Sequence, residues 1–235
     1  MKLSIIIPVH NEENYIGEVL ERIFALQLFC EKEIVVVNDG STDNTSKILE
    51  KLSEVNNFKL LKHEKNLGKG QAIKTGLGEC TGDLIIIQDA DLEYNSNDIP
   101  LLLNKMSSDI SAVYGKRGSK RWPKRGYYYI IGAKILTITI NILFGGKLTD
   151  TYTGYKLFNV SRIGIDLLKN LKSTGFEFEA EVTCKILAQS GKIVEVPINY
   201  IPRSKNEGKH IGLKDVFKGL FIILEYYFIK IKQKP

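Results

Sequence analysis

Cysteine is scarce. Cys30, Cys80 and Cys184 are the only three in 235 residues, they form no Cys-x-x-Cys pair, and their number is odd. Neither a zinc site nor a cysteine nucleophile is supported, and reduced thiols in a cytosolic setting are the simplest account. A secretory leader is not visible either, because the opening apolar run is short, Pro8 ends it, and acidic residues follow at once. Two glycine fingerprints are missing as well. No Gly-x-Gly-x-x-Gly turn follows the first apolar run, which argues against a dinucleotide-binding enzyme, and the Gly-x-x-x-x-Gly-Lys-Ser/Thr order of a P-loop does not occur. No low-complexity linker divides the chain, whose 235 residues suffice for one well-packed α/β domain with an appended region.

What is present is a repeated unit, an apolar run followed by a helical segment. Leu3–Val9, Glu33–Asn38, Phe58–Lys62 and Asp83–Gln88 read as strands. Between them, Glu12–Leu28 carries Ile16, Leu20, Ile23 and Phe24 at helical spacing, and Asp43–Val55 carries Ile48, Leu49 and Leu52. Strands alternating with helices predict a mostly parallel sheet with helices on both faces. The run Leu84–Ile87 marks a buried central strand, so Asp89, Asp91 and Glu93 fall at its carboxyl edge, where open α/β folds bind ligands. If the backbone stays extended there, period-two spacing keeps the three acids on one side. Hard oxygen ligands suit Mg²⁺ or Mn²⁺, and an ion held by one or two carboxylates completes its shell with substrate phosphates. Such a triplet standing alone would read as solvated loop acids.

The other strand ends are polar too. His10-Asn11-Glu12 follows the first and Asp39-Gly40-Ser41-Thr42-Asp43 the second, so these loops are expected to converge on one rim. Thr42 to Thr45 read as a helix cap and Gly40 as a turn. Asp39 leaves the sheet at the same edge as Asp89 and has acceptor oxygens for a nucleobase. Glu12 also fits a first-turn carboxylate favoured by the helix dipole. Asn66-Leu67-Gly68-Lys69-Gly70 fits a helix start or a phosphate-facing glycine loop.

Taken in order, Pro8-Val9-His10-Asn11-Glu12, Asn38-Asp39-Gly40-Ser41-Thr42-Asp43, Asn66-Leu67-Gly68-Lys69-Gly70 and Asp89-Ala90-Asp91 resemble the successive motifs of the inverting GT-A glycosyltransferases of family two. Asp150-Thr151-Tyr152-Thr153-Gly154-Tyr155-Lys156-Leu157-Phe158, then Gly175-Phe176-Glu177-Phe178-Glu179, then Pro202-Arg203 with Glu207-Gly208-Lys209, are similar to the dolichyl-phosphate mannose synthase branch. The resemblance implies a Rossmann-like GT-A fold over residues 1–235: a nucleotide-sugar-binding half (1–115), an acceptor-binding half (116–212) and a C-terminal amphipathic helix (213–235). It also implies that Pro8, Glu12, Val37 and Asp39 hold the nucleoside. His10 stands where the family pattern usually has tyrosine, so contacts at the base are expected to differ. Lys69, Ala90 and Glu179 would complete the nucleotide-sugar site. Asp89, Asp91 and Glu93 would bind Mg²⁺ or Mn²⁺ bridging the diphosphate, and Arg117, Arg203 and Lys209 would contact the diphosphate, the acceptor phosphate or both.

The chemistry follows from charge. A sugar leaves a nucleoside diphosphate when a cation and basic side chains neutralise the charge growing on the leaving oxygen. A hydroxyl acceptor needs a general base, whereas a phosphate monoester with a second pKa near ~6 is already largely anionic at neutral pH. Asp89, Asp91, Arg117 and Arg203 are therefore the expected catalytic group, and a base among Glu177, Glu179 and Glu181 is not required. In a helix Glu177 and Glu181 share a face while Glu179 points elsewhere, and one of the three is expected to line the sugar pocket. Mannose from GDP-mannose to a dolichyl-type phosphate is the leading pair implied, with UDP-glucose or UDP-N-acetylglucosamine as the alternative donor. A catalytically idle membrane scaffold with this fold is the reading from a different class.

Between residues 116 and 125 there is no acid, while Lys116, Arg117, Lys120, Arg121, Lys124 and Arg125 surround Trp122 and Pro123. This basic run precedes the greasy stretch Tyr127–Phe144, which is about as long as a membrane span. Lys134, Thr137 and Asn141 make one polar stripe along it, so a helix lying in the interface is expected, with a buried core helix close behind. Leu213–Lys232 repeats the design, with Phe217, Leu220, Phe221, Leu224, Phe228 and Ile231 on an apolar face interrupted by Lys214, Lys218, Glu225 and Lys232. The net charge of +6 fits an anionic membrane, nucleotide sugars or nucleic acid. Nucleic acid is not expected as a partner, because the acidic triplet lacks further acids for a two-metal nuclease cluster. The expected location is the cytoplasmic face of a membrane, bound peripherally or through a small membrane subunit, unless the chain is a piece of a longer one.

Overall fold

The computed structural model describes residues 1–118, 127–203 and 213–232. Its strands are β1 (Lys2–Val9), β2 (Glu31–Asp39), β3 (Lys59–His63), β4 (Leu84–Ile87), β5 (Ala112–Arg117), β6 (Lys156–Asn159) and β7 (Ile193–Ile198). The four strands expected from the sequence are found within two residues at either end. The helices are α1 (Ile16–Ala25), α2 (Thr45–Val55), α3 (Lys69–Glu79), α4 (Ile99–Lys105), α5 (Tyr127–Phe144), α6 (Val160–Ile163), α7 (Ile165–Lys169), α8 (Phe178–Ala188) and α9 (Leu213–Lys232).

The strands form one sheet in the order β3-β2-β1-β4-β6-β5-β7. β1 pairs in parallel with β2 and β4, β2 with β3, and β5 with β7, while β6 runs antiparallel between β4 and β5. Two antiparallel steps restore direction, so β5 and β7 point the same way as β1, β2 and β4. All of these strands deliver their carboxyl ends to one rim, and β6 starts there. Residues remote in sequence, from His10 to Arg203, thus leave the sheet together, at the edge where such folds take ligands.

Branched side chains hold this frame. Ile5 to Ile7, Val35 to Val37 and Ile85 to Ile87 are no more than 1% exposed, because α1, α2 and α4 cover one face and α3, α7 and α8 the other. Alternation sorts the contacts: Leu3, Ile5 and Ile7 pack with Leu20, Ile23, Leu49 and Leu102, and Ile6, Ile85 and Ile87 with Ile73, Leu77, Leu168 and Val182. Each such side chain contributes about 1.5–3 kcal/mol on full burial. The three cysteines are free thiols.

A third cluster joins α5, α8 and α9, with Leu136, Ile140 and Phe144 against Ala180, Cys184, Ile223 and Tyr226. Here the polar stripe of α5 lies largely on the inner side of the helix. Two members of its polar stripe face the protein: Thr137 is buried and shares a hydrogen bond of 2.8 Å with Thr151, and Asn141 bonds both the carbonyl and the N–H of Leu148. The stripe secures the 148–151 loop, which otherwise leaves backbone groups unpaired. Ile131, Ile135, Ile138 and Ile142 are left outside, between 49% and 75% exposed. On α9, Phe217, Phe221, Leu224, Phe228 and Ile231 are exposed likewise. The two helices meet at glycines, Gly132 against Val216, and Gly219 where a Cβ would collide with the Tyr152 hydroxyl. Among the described residues no helix is long and apolar enough to cross a membrane. Lys120, Arg121, Trp122, Pro123, Lys124 and Arg125 lie outside the described residues.

Candidate active site

A cleft of about 380 Å³ opens at the rim, lined by Pro8, His10, Glu12, Asp39, Lys69, Asp89, Ala90, Asp91, Arg117, Glu179 and Arg203. These residues, singled out from the sequence, come together. Lys209 lies outside the described residues. Val37 is fully buried beneath α3 and does not line the cleft, so its side chain has no route to a nucleoside.

Acids and bases alternate across the cleft. Lys69 Nζ lies 2.7 Å from Asp89 Oδ1 and 3.5 Å from Glu179 Oε1. Arg203 bonds both oxygens of Glu12 at 2.9 Å and reaches Asp91 Oδ2 at 3.1 Å. Burial pushes Glu12 up to about 7 against the pull of Arg203, and Asp91 and Asp89 push it the same way. Arg117 grips Asp150 through two nitrogens at 2.6 and 2.8 Å, with its guanidinium 5.2 Å from the centre of the Tyr200 ring. A bidentate fork of this kind fixes the plane of an arginine as well as its charge.

Glu93 departs from the expected trio. Leu92 has φ of +58°, a left-handed conformation, so the backbone is not extended and period two fails. Glu93 is turned out of the cleft and accepts hydrogen bonds of 2.9 Å from the Tyr200 hydroxyl and the Arg203 N–H, while its carbonyl accepts from Ile201. It ties the segment carrying Arg203 to the loop carrying Asp91. Among the described residues no three His, Cys, Asp or Glu side chains are grouped to hold a metal by themselves.

Asp39 is buried, with Oδ1 accepting from Leu67 N–H and lying 2.7 Å from His63 Nδ1, and Oδ2 accepting from Gly68 N–H. It anchors the glycine loop. His10 Nδ1 lies 2.8 Å from the Asp39 carbonyl, an acceptor only, so this nitrogen donates its proton there and Nε2 is the ring atom left for other contacts.

Several residues in the site have no role that the sequence alone assigned. Lys156, at the start of β6, is fully buried; its ammonium donates to Glu179 and to the Thr153 carbonyl, and lies 4.8 Å from the centre of the Tyr114 ring. Burial draws the Lys156 ammonium below its usual range, with Glu179 opposing. Whichever atom keeps the shared proton, the pair is net neutral. Tyr94, Tyr152, Gly154 and Phe176 also line the cleft. Of the three helical acids only Glu179 does so. Glu181 accepts from the N–H groups of Lys172 and Ser173 and from the Tyr226 hydroxyl, and Glu177 from those of Thr174 and Gly175. The segment they hold lies on the start of α3, where a Cβ on Gly68 or Gly70 would run into Thr174 or Ser173.

Asp89 and Asp91 supply hard oxygen donors facing the cleft, and a Cβ on Gly154 would strike Asp89 Oδ2, so a glycine is what leaves that oxygen its place. Two carboxylates lining the cleft fit Mg²⁺ or Mn²⁺ completed by phosphate oxygens, as octahedral oxygen chemistry demands.

A mostly parallel sheet with one antiparallel strand, an acidic strand end and cations turned toward it is the architecture of the GT-A glycosyltransferases. Residues 4–163 match the family model for Glycosyl transferase family 2, and the chain belongs to that family. It is 31% identical over 225 residues to the dolichol-phosphate mannosyltransferase of Pyrococcus furiosus, an alignment covering 94% of this chain and 62% of that protein. An uncharacterised protein of Methanocaldococcus jannaschii is 33% identical over 239 residues, covering 96% of this chain and 99% of its own. The undecaprenyl-phosphate 4-deoxy-4-formamido-L-arabinose transferase of Proteus mirabilis is 33% identical over 144 residues, 59% of this chain and 44% of that one. The chain therefore spans less than two thirds of the Pyrococcus and Proteus relatives. In fold it matches glucosyl-3-phosphoglycerate synthase from Mycobacterium tuberculosis, crystallised with Mn²⁺, UDP and glucosyl-3-phosphoglycerate, at a TM-score of 0.73 and 18% identity over 100% of this chain and 81% of that one.

Proposed function

We propose that this protein transfers a hexose from a nucleoside diphosphate sugar to a polyprenyl phosphate with inversion at the anomeric carbon, mannose from GDP-mannose to a dolichyl-type phosphate being the leading pair. The observation that carries the reading is the state of the carboxylates in the cleft. Glu12 is engaged by Arg203, Asp39 by loop amides, and Glu179 by Lys156 and Lys69. None of these three is placed to serve as a base for a hydroxyl acceptor, whereas an anionic phosphate acceptor asks for cations instead. The relatives from Pyrococcus and Proteus, named for dolichol phosphate and undecaprenyl phosphate, support the same acceptor class.

In this reading Pro8, His10, Glu12 and Asp39 receive the nucleoside, and Glu179 meets sugar hydroxyls. Asp89 and Asp91 hold Mg²⁺ or Mn²⁺, which when bound neutralises the diphosphate. Arg117 and Arg203, joined by Lys209, take the diphosphate and the incoming phosphate. Arg117 keeps its orientation through Asp150, so the cation meeting the acceptor is set before it arrives. The outward isoleucines of α5 and phenylalanines of α9 rest in the acyl region of the cytoplasmic leaflet, beside the lipid acceptor and any small membrane subunit. Exposed isoleucines and phenylalanines in such number fit a lipid surface.

The test incubates protein and Mg²⁺ or Mn²⁺ with radiolabelled GDP-mannose, UDP-glucose or UDP-N-acetylglucosamine and a short polyprenyl phosphate. Label from GDP-mannose is expected in the organic phase. Label from a UDP sugar alone would replace the donor and keep the acceptor. Label moving only to water-soluble acceptors would end the lipid reading. No transfer from any donor would leave the idle scaffold.

A further inference from the structure

Lys69 stands in an unusual position. It is the first residue of α3, where the helix dipole favours anions and disfavours a cation, yet its ammonium is largely buried between Asp89 and Glu179. Burial works to lower its proton affinity, and Asp89 and Glu179 more than reverse this. The contact with Asp89 is the closer by 0.8 Å, from 2.7 and 3.5 Å. The reason lies beneath: Glu179 is already neutralised by Lys156, which enters from the core with the Thr153 carbonyl and the Tyr114 ring fixing its ammonium. A row of alternating charge runs from the floor to the rim: Lys156, Glu179, Lys69, Asp89.

We propose that Lys69 is a cation held for exchange: it sits on Asp89 until a divalent ion takes that carboxylate, and Lys156 is the positioning residue that keeps Lys69 on Asp89 and off Glu179. The inference rests on the donor reading above and deepens it. A divalent ion arriving alone meets Asp89 already occupied by Lys69 and Asp91 already reached by Arg203. Arriving with a nucleoside diphosphate, it brings the anion that receives the displaced lysine, at a helix start suited to phosphate. Metal and nucleotide therefore bind together strongly and the metal alone weakly. This coupling is reciprocal, as any linkage must be.

The experiment measures Mn²⁺ binding by electron paramagnetic resonance, with and without GDP or UDP, on the whole chain. Wild type is expected to bind Mn²⁺ at least tenfold more tightly with a nucleoside diphosphate, about 1.4 kcal/mol of coupling or more. Lys156→Met leaves Glu179 to capture Lys69 and draws that cation off Asp89, so Mn²⁺ alone binds several-fold more tightly and the coupling shrinks. Lys156→Met with Glu179→Gln removes the captor and restores the wild-type pattern, and Lys156→Arg retains it. Should Lys156→Met fail to fold, Lys69→Met takes away the shared cation directly and must raise affinity for Mn²⁺ alone. Unchanged Mn²⁺ affinity in a folded Lys69→Met overturns the proposal, as does wild-type coupling in a folded Lys156→Met. Failure of the donor reading looks different: no Mn²⁺ binding in wild type with either nucleotide. Failure of the acceptor reading leaves these binding results intact while lipid labelling is absent.

Discussion

The sheet and the α5–α9 pair solve opposite problems with the same residue types. In the sheet, branched side chains go inward and polar groups gather at the strand ends, so the sequence pattern points at the cleft. In the helix pair the polar groups Thr137 and Asn141 go inward to hold a loop, while four isoleucines of α5 and three phenylalanines of α9 go outward. Burial stabilises the first region; the second leaves a row of large apolar groups uncovered. A period of 3.6 shows that a helix has two faces, but not which face is the inner one.

The sharpest way to set the regions apart is to cut each at its own function. Asp91→Ala at the rim is expected to lower kcat/KM for transfer by roughly 10³-fold, the scale of losing one preorganised electrostatic contact, while the melting temperature holds; unchanged turnover would remove the rim from the chemistry. The next effect is on stability. Thr137→Val strands the Thr151 hydroxyl in the core, at a cost of about 1–3 kcal/mol, read as a lower urea midpoint. An ordinary amphipathic helix would have tolerated the change on its polar side. Phe221→Ser breaks the comparison from the other direction: stability stays within about 0.5 kcal/mol, and partitioning onto anionic vesicles falls on the order of tenfold for one lost apolar anchor. A large loss of stability instead would mean that this face is covered by protein.

The smallest effect is on the frame beneath the cleft. Burial would raise Glu33, but hydrogen bonds from Ser4, Thr81 and Lys2 outweigh it and hold the carboxyl at about 2 against an ordinary 4.5. Because the folded value is the lower one, its stabilisation is complete above pH 4.5 and is lost as pH falls toward 2. Glu33→Gln is expected to flatten that part of the stability profile and leave neutral pH activity alone. A mutant profile parallel to wild type would place the acid sensitivity elsewhere.

Much of the site was legible because parallel strands announce their carboxyl ends: His10, Asp39, Asp89 and Asp91 follow apolar runs that can only be central strands. Arg117 and Arg203 were legible through motif order, since nothing local to them reveals that the two antiparallel pairings of β6 turn β5 and β7 toward the same rim. Glu93 was misread because one left-handed residue, Leu92, cancels an alternation that the sequence displays intact. Lys156 stands in a matched motif but had no role there, because only tertiary packing places Glu179 over it. Helical spacing set Glu177 and Glu181 on a face apart from Glu179, but the backbone segment they hold is visible only once folded.

Gly219 gives α9 a bearing directly on the wall of the cleft, since a Cβ there would meet the Tyr152 hydroxyl. No clearance separates the greasy helix from that tyrosine. Any tilt or shift of α9 must then be matched by Tyr152 or by the loop that Thr137 secures, and a single methyl group added at 219 is enough to disturb a site whose reacting groups it never touches.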